Sequence, residues 1–153
     1  MARRPTVTFT RLTAGRRAAR LVLIGGHMGR ETIRTAGAPA SALYSQGVKA
    51  GSHIFVSGTV GIDPSTGHMA GATIREQTLQ ALTNCAAILA AGGASLDDVV
   101  EVGVLLTNSE DFAGMNEAYA QVFATDPPAR YVARLGVVLP DVLVSIRMTA
   151  IIA

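Results

Sequence analysis

The stretch LYSQGVKAGSHIFVSGTVG, residues 43–61, carries two apolar runs separated by the small, polar sequence KAGS at 49–52. Short runs rich in β-branched and aromatic residues are typical of strands, and a brief break between them indicates a hairpin. The sequence DPSTG follows at 63–67, with Pro64 early and Gly67 late, as in a tight turn. We therefore predict a β-hairpin that is followed by a turn.

Downstream of this hairpin the hydrophobic pattern changes to that of a helix. Thr73 and Glu76 have the spacing of an N-terminal capping box, and Gly92 and Gly93 are typical of a helix end. Between them, apolar residues recur at roughly helical spacing. The predicted apolar stripe consists of Ile74, Leu79, Leu82, Ala86 and Leu89.

The remaining elements follow in a regular order. A strand is predicted within 95–108, a second helix from about Ser109, and two closing strands at 129–139 and 142–152 with a Pro-Asp turn between them. The buried stripe of the second helix is predicted to be Phe112, Met115, Tyr119 and Val122. The order ββ–α–β–α–ββ predicts an α+β fold in which helices cover one face of a sheet. An oligomer would bury the other face.

The composition supports burial of apolar surface between subunits. Hydrophobic residues make up 49% of the 153 residues and charged residues only 16%, which is lean for a monomer. Cys85 is the single cysteine, so no internal disulfide can form and a reducing, cytoplasmic compartment is expected. No apolar run reaches the roughly 18 residues of a membrane span, and no membrane partner is predicted.

The charges are segregated along the chain. Residues 1–27 contain six arginines and no acidic residue, whereas residues 28–153 contain seven basic and eleven acidic residues, a net charge of −4. We interpret 1–27 as a basic N-terminal extension and 28–153 as a single domain. The extension could be a nucleic-acid or membrane arm, a targeting peptide, or a non-native leader that ends near Met28, and its segment ARLVLIGG could add a strand. The negative domain argues against nucleic-acid binding.

Several familiar kinds of site are excluded. Three scattered histidines and one cysteine do not have the spacing of a metal site, and neither a glycine-rich phosphate loop nor a nucleophile elbow is present. Cys85 lies within the first predicted helix, where packing is its expected role. No metal or cofactor is predicted.

A dispersed set of short motifs remains: YSQ at 44–46, VSG at 56–58, MN at 115–116 and PAR at 128–130. In this order and among these elements, they resemble the RidA/YjgF (Rid) family. The resemblance extends from about residue 30 to 153 and includes a final LP…VSIRMTAI.

The resemblance implies a chorismate-mutase-like fold with a mixed sheet, assembled as a homotrimer around a central barrel, with clefts between adjacent subunits. It also implies hydrolysis of reactive enamines or imines, such as 2-aminoacrylate, to a 2-keto acid and ammonia. By position, the cleft would contain Tyr44, Ser57, Gly58, Asn116 and Arg130. In this scheme Arg130 anchors the substrate, Tyr44 and Ser145 position water, and backbone groups at Ser57, Gly58 and Val132 supply hydrogen bonds.

Arg130 is a cation at the start of an apolar strand, and it needs an anionic partner. A guanidinium can hold the carboxylate of a 2-imino acid through two charge-assisted hydrogen bonds. The structural alternative is an ion pair with Asp126, Asp141 or an acid of a neighbouring chain. Tyr44 could instead be an interface aromatic residue, Gly58 part of a bulge, and Asn116 a link between a loop and its helix.

Ser145 departs from the family pattern, because deaminating members carry a glutamate there that holds the attacking water. A serine hydroxyl orients water but does not act as a base near neutral pH, so roughly 3 to 5 kcal/mol of barrier lowering is at issue. Leu43, Thr59 and Tyr131 also replace the residues usual in the family. The alternative function is therefore a non-catalytic trimeric protein that binds small carboxylates such as 2-keto acids.

Overall fold

The computed structural model describes residues 29–153. The basic extension, with its candidate strand, lies outside these residues. The strands are β1 (Arg30–Ile33), β2 (Gly47–Ala50), β3 (His53–Val60), β4 (Ile62–Asp63), β5 (His68–Met69), β6 (Val99–Leu106), β7 (Ala129–Arg134) and β8 (Val144–Ile151), and the helices are α1 (Ile74–Ala91) and α2 (Phe112–Val122). The predicted hairpin is confirmed as β2 and β3, with a two-residue turn at Gly51 and Ser52.

Six strands form one mixed sheet in the order β1-β2-β3-β8-β6-β7. All neighbouring pairs are antiparallel except β6 and β7, which are parallel. Parallel strands need a crossover connection, and α2 lies in this one. β4 and β5 form a separate two-stranded sheet and are joined by the turn that contains Gly67, whose φ of 75° lies in the left-handed region. The predicted α+β fold with two helices is confirmed.

The hydrophobic core lies between the helices and one face of the sheet. Leu82, Cys85 and Ile88 of α1 and Met115 of α2 are fully buried against Ile146 of β8 and its neighbours. The opposite face, which we call the bare face, keeps apolar side chains in solvent. These include Phe55, Tyr131 and Ile151. Tyr131 lies opposite Gly103, where a Cβ would collide with its phenol ring.

The cap of α1 matches the sequence prediction, and the predicted stripe is confirmed in part, since Leu82 and Leu89 are buried. The Thr73 hydroxyl accepts a hydrogen bond from the Glu76 amide, and the Glu76 carboxylate accepts one from the Thr73 amide at 3.0 Å. Leu79 and Ala86 are only half-buried, whereas the polar Gln77 and Asn84 are buried.

Hydrogen bonds explain this polar stripe, because buried side-chain amides need partners. The Asn84 amide donates to the carbonyls of Val60 and Ile62, at 3.0 and 2.8 Å. The Gln77 amide donates to the Asp141 carbonyl at 2.8 Å and accepts from the Leu143 amide at 2.9 Å. Both side chains therefore tie loops to the helix.

The predicted strand at 129–139 is too long, since β7 ends at Arg134. Because β6 lies between β7 and β8, these two strands cannot form a hairpin. Residues 135–143 carry the chain from the edge strand β7 past β6 to the position of β8. The expected turn is found at 140–141, and Asp141 has a φ of 59°. Among residues 29–153, no helix is long and apolar enough to cross a membrane.

Candidate functional site

Arg130 lies on the edge strand β7 and points to the helix side of the sheet, since it is opposite Val102 of the core. Its guanidinium carbon lies 4.6 Å from the centre of the Tyr119 ring, and one of its terminal nitrogens lies 4.0 Å from the Met115 sulfur. Within residues 29–153, the one ion pair shorter than 4.0 Å joins Arg75 to Glu117. Arg130 is therefore exposed, held by an aromatic face, and not paired with an acid of this part of the chain.

The two intramolecular partners considered for Arg130 are excluded within a 4.0 Å limit. Neither Asp126 nor Asp141 forms an ion pair with it. Both residues lie in loops and have a positive φ, of 46° and 59°. Of the partners considered, a carboxylate from another molecule remains for the guanidinium to bind.

Tyr119 supports Arg130, and sequence reasoning missed this role by assigning the residue only to a buried stripe. Its side chain is buried, and its hydroxyl has no hydrogen-bond partner within residues 29–153. Burial raises the pKa of Tyr119, and the positive charge of Arg130 partly opposes this rise. The phenol thus stays neutral and offers its ring as a cation–π surface. No local signal in the sequence places this ring under Arg130.

Val132 lies two residues from Arg130 on β7, and Asn116 follows Met115, the α2 residue whose sulfur Arg130 contacts. Val132 is half-buried on the same face of β7 and lines a cavity of about 390 Å³ together with Leu106, Ser109, Phe112, Ala133 and Arg134. Phe112 was predicted to be buried, but it is 46% exposed because it forms a wall of this cavity. Asn116 is half-buried on α2 and makes no side-chain hydrogen bond with other residues of the described part. Arg130, Val132 and Asn116 form what we call the arginine cluster.

Tyr44 and Ser57 lie at the other side of the sheet. The Tyr44 side chain is 56% exposed, in a loop that precedes β2. It shares a groove of about 500 Å³ with Ser57 and with two cations, Arg30 and Arg34. The Ser57 hydroxyl donates to the Ser45 carbonyl at 2.6 Å, and its amide donates to the Gln46 carbonyl at 2.9 Å. Ser57 therefore fixes the loop that carries Tyr44.

Gln46 is a second residue that sequence reasoning missed. Its buried amide accepts a hydrogen bond from the Thr35 backbone at 2.7 Å and donates to the carbonyls of Ala38 and Pro39 at 2.8 and 3.0 Å. These bonds fasten the segment before Tyr44 to the end of the sheet. The available signal in the sequence was the position of Gln46, a polar residue directly before a predicted strand.

Gly58 and Ser145 meet on the bare face. The register of β3 against β8 shifts between Val56 and Thr59, so Gly58 lies in the β-bulge that was the structural alternative for this position. Glycine at position 58 leaves room for the Ser145 hydroxyl, because a Cβ there would lie 3.0 Å from the hydroxyl oxygen. Ser145 is 8% exposed and lies between Val60 and Leu105 of the flanking strands. Tyr44, Ser57, Gly58 and Ser145 form what we call the tyrosine cluster.

A single chain does not bring the two clusters together. Gly58 is on β3 and Arg130 is on β7, and β8 and β6 lie between them. Three interstrand spacings amount to about 14 Å. In addition, Arg130 projects from the helix side, whereas Ser145 alternates with buried core residues and faces the other way. Each cluster is therefore half of the predicted site.

The described residues 29–153 contain no group of three or more His, Cys, Asp and Glu side chains that could hold a metal ion. Cys85 is fully buried in α1, and its sulfur lies 3.7 Å from the Ile146 carbonyl oxygen. Burial raises the pKa of the Cys85 thiol to about 12. The thiol is therefore neutral and packed in the core, as the sequence predicts.

Comparison with known proteins identifies the family. The model described as Endoribonuclease L-PSP matches residues 35–152. The chain belongs to this family, the RidA/YjgF or Rid family. A RutC family protein of Pyrococcus horikoshii is 43% identical to this Rid protein, over 79% of this chain and 97% of the relative. The human 2-iminobutanoate/2-iminopropanoate deaminase is 42% identical, over 66% of this chain and 74% of the relative.

Solved structures of relatives have the same fold. The YjgF gene product of E. coli superposes with a TM-score of 0.76 at 33% sequence identity, covering 80% of this Rid protein and 99% of that chain. RidA from an Antarctic Psychrobacter superposes with a TM-score of 0.75 at 36% identity, covering 80% and 99% of the two chains. The family match includes both the arginine cluster and the tyrosine cluster.

Proposed function

We propose that the protein hydrolyses small 2-imino acids, and the enamines that tautomerise to them, to 2-keto acids and ammonia. The observation that carries this proposal is the exposed Arg130 guanidinium, held over the Tyr119 ring without an acidic partner in the described part of the chain. Such a group binds a planar carboxylate through two parallel hydrogen bonds. Relatives about 40% identical to this chain are named imine deaminases.

In the proposed reaction Arg130 binds the substrate carboxylate and holds C2 of the imine in the cleft. A water oxygen adds to C2, and the C=N double bond becomes a single bond as nitrogen takes a proton. The C2 hydroxyl then gives its proton to the amine nitrogen, the C–N bond breaks with its electron pair leaving on ammonia, and the C–O bond becomes the keto C=O. Tyr44 and Ser145 orient the water, while Asn116 and backbone groups at Ser57, Gly58 and Val132 bind the substrate.

The same proposal includes a homotrimer in which the arginine cluster of one protomer meets the tyrosine cluster of the next. Two observations support it. Gly58 of the tyrosine cluster and Arg130 lie on strands that are separated by two others, and the bare face exposes Phe55, Tyr131 and Ile151. Three bare faces turned inward would form the central barrel of a chorismate-mutase-like assembly and bury these side chains. Residues 28–153 would form this domain, with 1–27 as an appended segment.

Ser145 supports a second candidate function, the binding of small carboxylates without turnover. No acidic side chain is adjacent to Ser145 in the sheet, since it lies between Val60 and Leu105. Glu101 lies on β6 four residues from Leu105, the residue opposite Ser145, which corresponds to about 13 Å along a strand. The site would then hold a 2-keto acid and lack a base for hydrolysis.

A coupled assay distinguishes the two functions. An amino-acid oxidase with catalase generates a 2-imino acid from its amino acid, and semicarbazide traps the imine that the protein has not hydrolysed. The deaminase proposal predicts less trapped imine with the wild-type protein than without protein. Equal trapping, together with calorimetric binding of 2-oxobutyrate that depends on Arg130, would support the binding protein instead.

The proposal places the reaction in the cytoplasm, because the one thiol is buried in the core and no disulfide is available to stabilise the fold. It does not include the ribonuclease activity that the family description names. The described residues 29–153 contain seven basic and eleven acidic side chains. A negative net charge disfavours binding to a phosphate backbone.

A further inference from the structure

β7 carries a second cation on the same face as Arg130. Side chains alternate along a strand, so Arg130, Val132 and Arg134 all project to the helix side. Arg134 is opposite Leu106, is exposed, and has no acid within 4.0 Å among residues 29–153. The acidic residues that begin the α2 region, Glu110 and Asp111, are not paired with it either. The edge strand therefore presents two available guanidinium groups.

An apolar cavity lies next to Arg134, on the face of β7 that both cations share. The cavity of about 390 Å³ has Leu106, Phe112, Val132 and Ala133 as walls and Arg134 at one end. Its volume falls within the range of about 300–1,000 Å³ that is usual for small-molecule sites. Arg130 is not one of the lining residues; it lies over Tyr119, two residues from Val132 on the same face of β7 and on the side away from Arg134.

The spacing of the two arginines limits the ligand. Their Cα atoms are four residues apart on one strand, or about 13 Å. Each guanidinium needs a few ångströms of this span for its own hydrogen bonds, so the space left between the two contacts suits a short dicarboxylate. A five-carbon 2-imino or 2-keto acid with a terminal carboxylate has apolar methylene groups between its two charges, and these match the apolar walls.

We infer that Arg134 is a specificity-determining residue and that the site selects dicarboxylic 2-imino acids of about five carbons, such as 2-iminoglutarate, over monocarboxylic ones. The assignment of these compounds as substrates rests on the proposed function. The dianion selectivity itself depends only on the two cations and on the apolar surface at Val132 that separates them. Arg130 binds the carboxylate next to C2, and Arg134 binds the terminal carboxylate.

Binding tests this selectivity independently of turnover. 2-Oxoglutarate and 2-oxopentanoate have the same five-carbon chain and differ in the terminal carboxylate. By calorimetry with the full-length protein, the wild type should bind 2-oxoglutarate about tenfold or more tightly than 2-oxopentanoate, as expected for one additional charge-assisted contact. Arg134→Gln should remove this preference and leave the affinity for 2-oxopentanoate within about twofold. Arg75→Gln, a surface control on α1, should preserve the preference.

Equal affinity of the wild type for both keto acids, or failure to bind either, would overturn the inference. An Arg134→Gln variant that weakens both ligands to the same degree, or that keeps the preference, would also overturn it. The coupled assay with 2-iminoglutarate and 2-iminopentanoate then tests the proposed function separately. A preference in binding that depends on Arg134, without hydrolysis of either imine, would support the inference and contradict the deaminase proposal.

Discussion

Replacing Arg130 by glutamine should weaken substrate binding and leave the fold intact. Glutamine keeps similar length and hydrogen-bonding capacity but loses the charge and the two-pronged geometry. Hydrogen bonds to charged groups contribute about 1.5–3 kcal/mol. Arg130 is exposed in the single chain, so we expect a loss of about 2 kcal/mol. At 1.4 kcal/mol per factor of ten, kcat/KM for a 2-imino acid should fall roughly thirtyfold.

The cost to stability should be small, because among residues 29–153 the polar and cation–π partners of Arg130 are the Tyr119 ring, at 4.6 Å, and the Met115 sulfur, at 4.0 Å. An exposed cation–π contact is worth about 0.5–1 kcal/mol. The measurement is the semicarbazide-coupled assay, with urea denaturation of the same samples. Arg75→Gln serves as the matched control and should keep wild-type activity. Wild-type kcat/KM in Arg130→Gln, or an equal loss in Arg75→Gln, would refute the reasoning.

The remaining predictions concern the water site, the thiol, a loop and the support of Arg130. Ser145→Glu should raise kcat at least tenfold by restoring a base, and an unchanged or lower kcat in the coupled assay would contradict this. Cys85, whose pKa is raised by burial to about 12, should resist iodoacetamide at pH 8 until urea unfolds the chain. The folded thiol keeps its proton, whereas the unfolded thiol loses it above about pH 9. The free energy of unfolding should therefore fall as the pH rises from 9 towards 12. Cys85→Ala should remove this part of the pH dependence. Gln46→Leu should lower the free energy of unfolding in urea by about 2–3 kcal/mol, since it strands buried backbone groups, and a change below 0.5 kcal/mol would contradict the loop's dependence on it. Tyr119→Phe should preserve KM, whereas Tyr119→Leu should raise it severalfold with a smaller effect on kcat, and equal KM in both would contradict the role of the ring.

Local chemistry made much of the fold predictable from the sequence. The capping box of Thr73 and Glu76 and the turn at Gly67 are decided within a few residues, and the structure confirms both. The polar residues in the buried stripe of α1 were not predictable from periodicity, although Leu82 and Leu89 were. Gln77 and Asn84 are buried through bonds to carbonyls that are 64 and 22 to 24 residues away in sequence, and no local pattern reports such partners.

Candidate site residues could be named from the sequence, but their arrangement could not. Motif order indicated Tyr44 and Arg130, but their placement in separate clusters follows from the strand order, in which β8 and β6 lie between β3 and β7. The length of β7 depends on the same topology, because the chain must leave the edge at Arg134 to reach the position of β8. Arg134 has no motif, and its position beside the cavity became visible only in three dimensions.

The most direct test of the account is complementation between two inactive variants. Arg130→Gln disables the arginine cluster, and Tyr44→Ala disables the tyrosine cluster. In trimers assembled from equal amounts of the two variants, a cleft is intact when the Tyr44→Ala protomer supplies Arg130 and the Arg130→Gln protomer supplies Tyr44. In a cyclic assembly this occurs in about a quarter of the clefts. The account predicts that co-expressed variants recover about a quarter of wild-type kcat/KM in the imine assay. Activity no higher than the mean of the two separate variants would contradict a site shared between protomers.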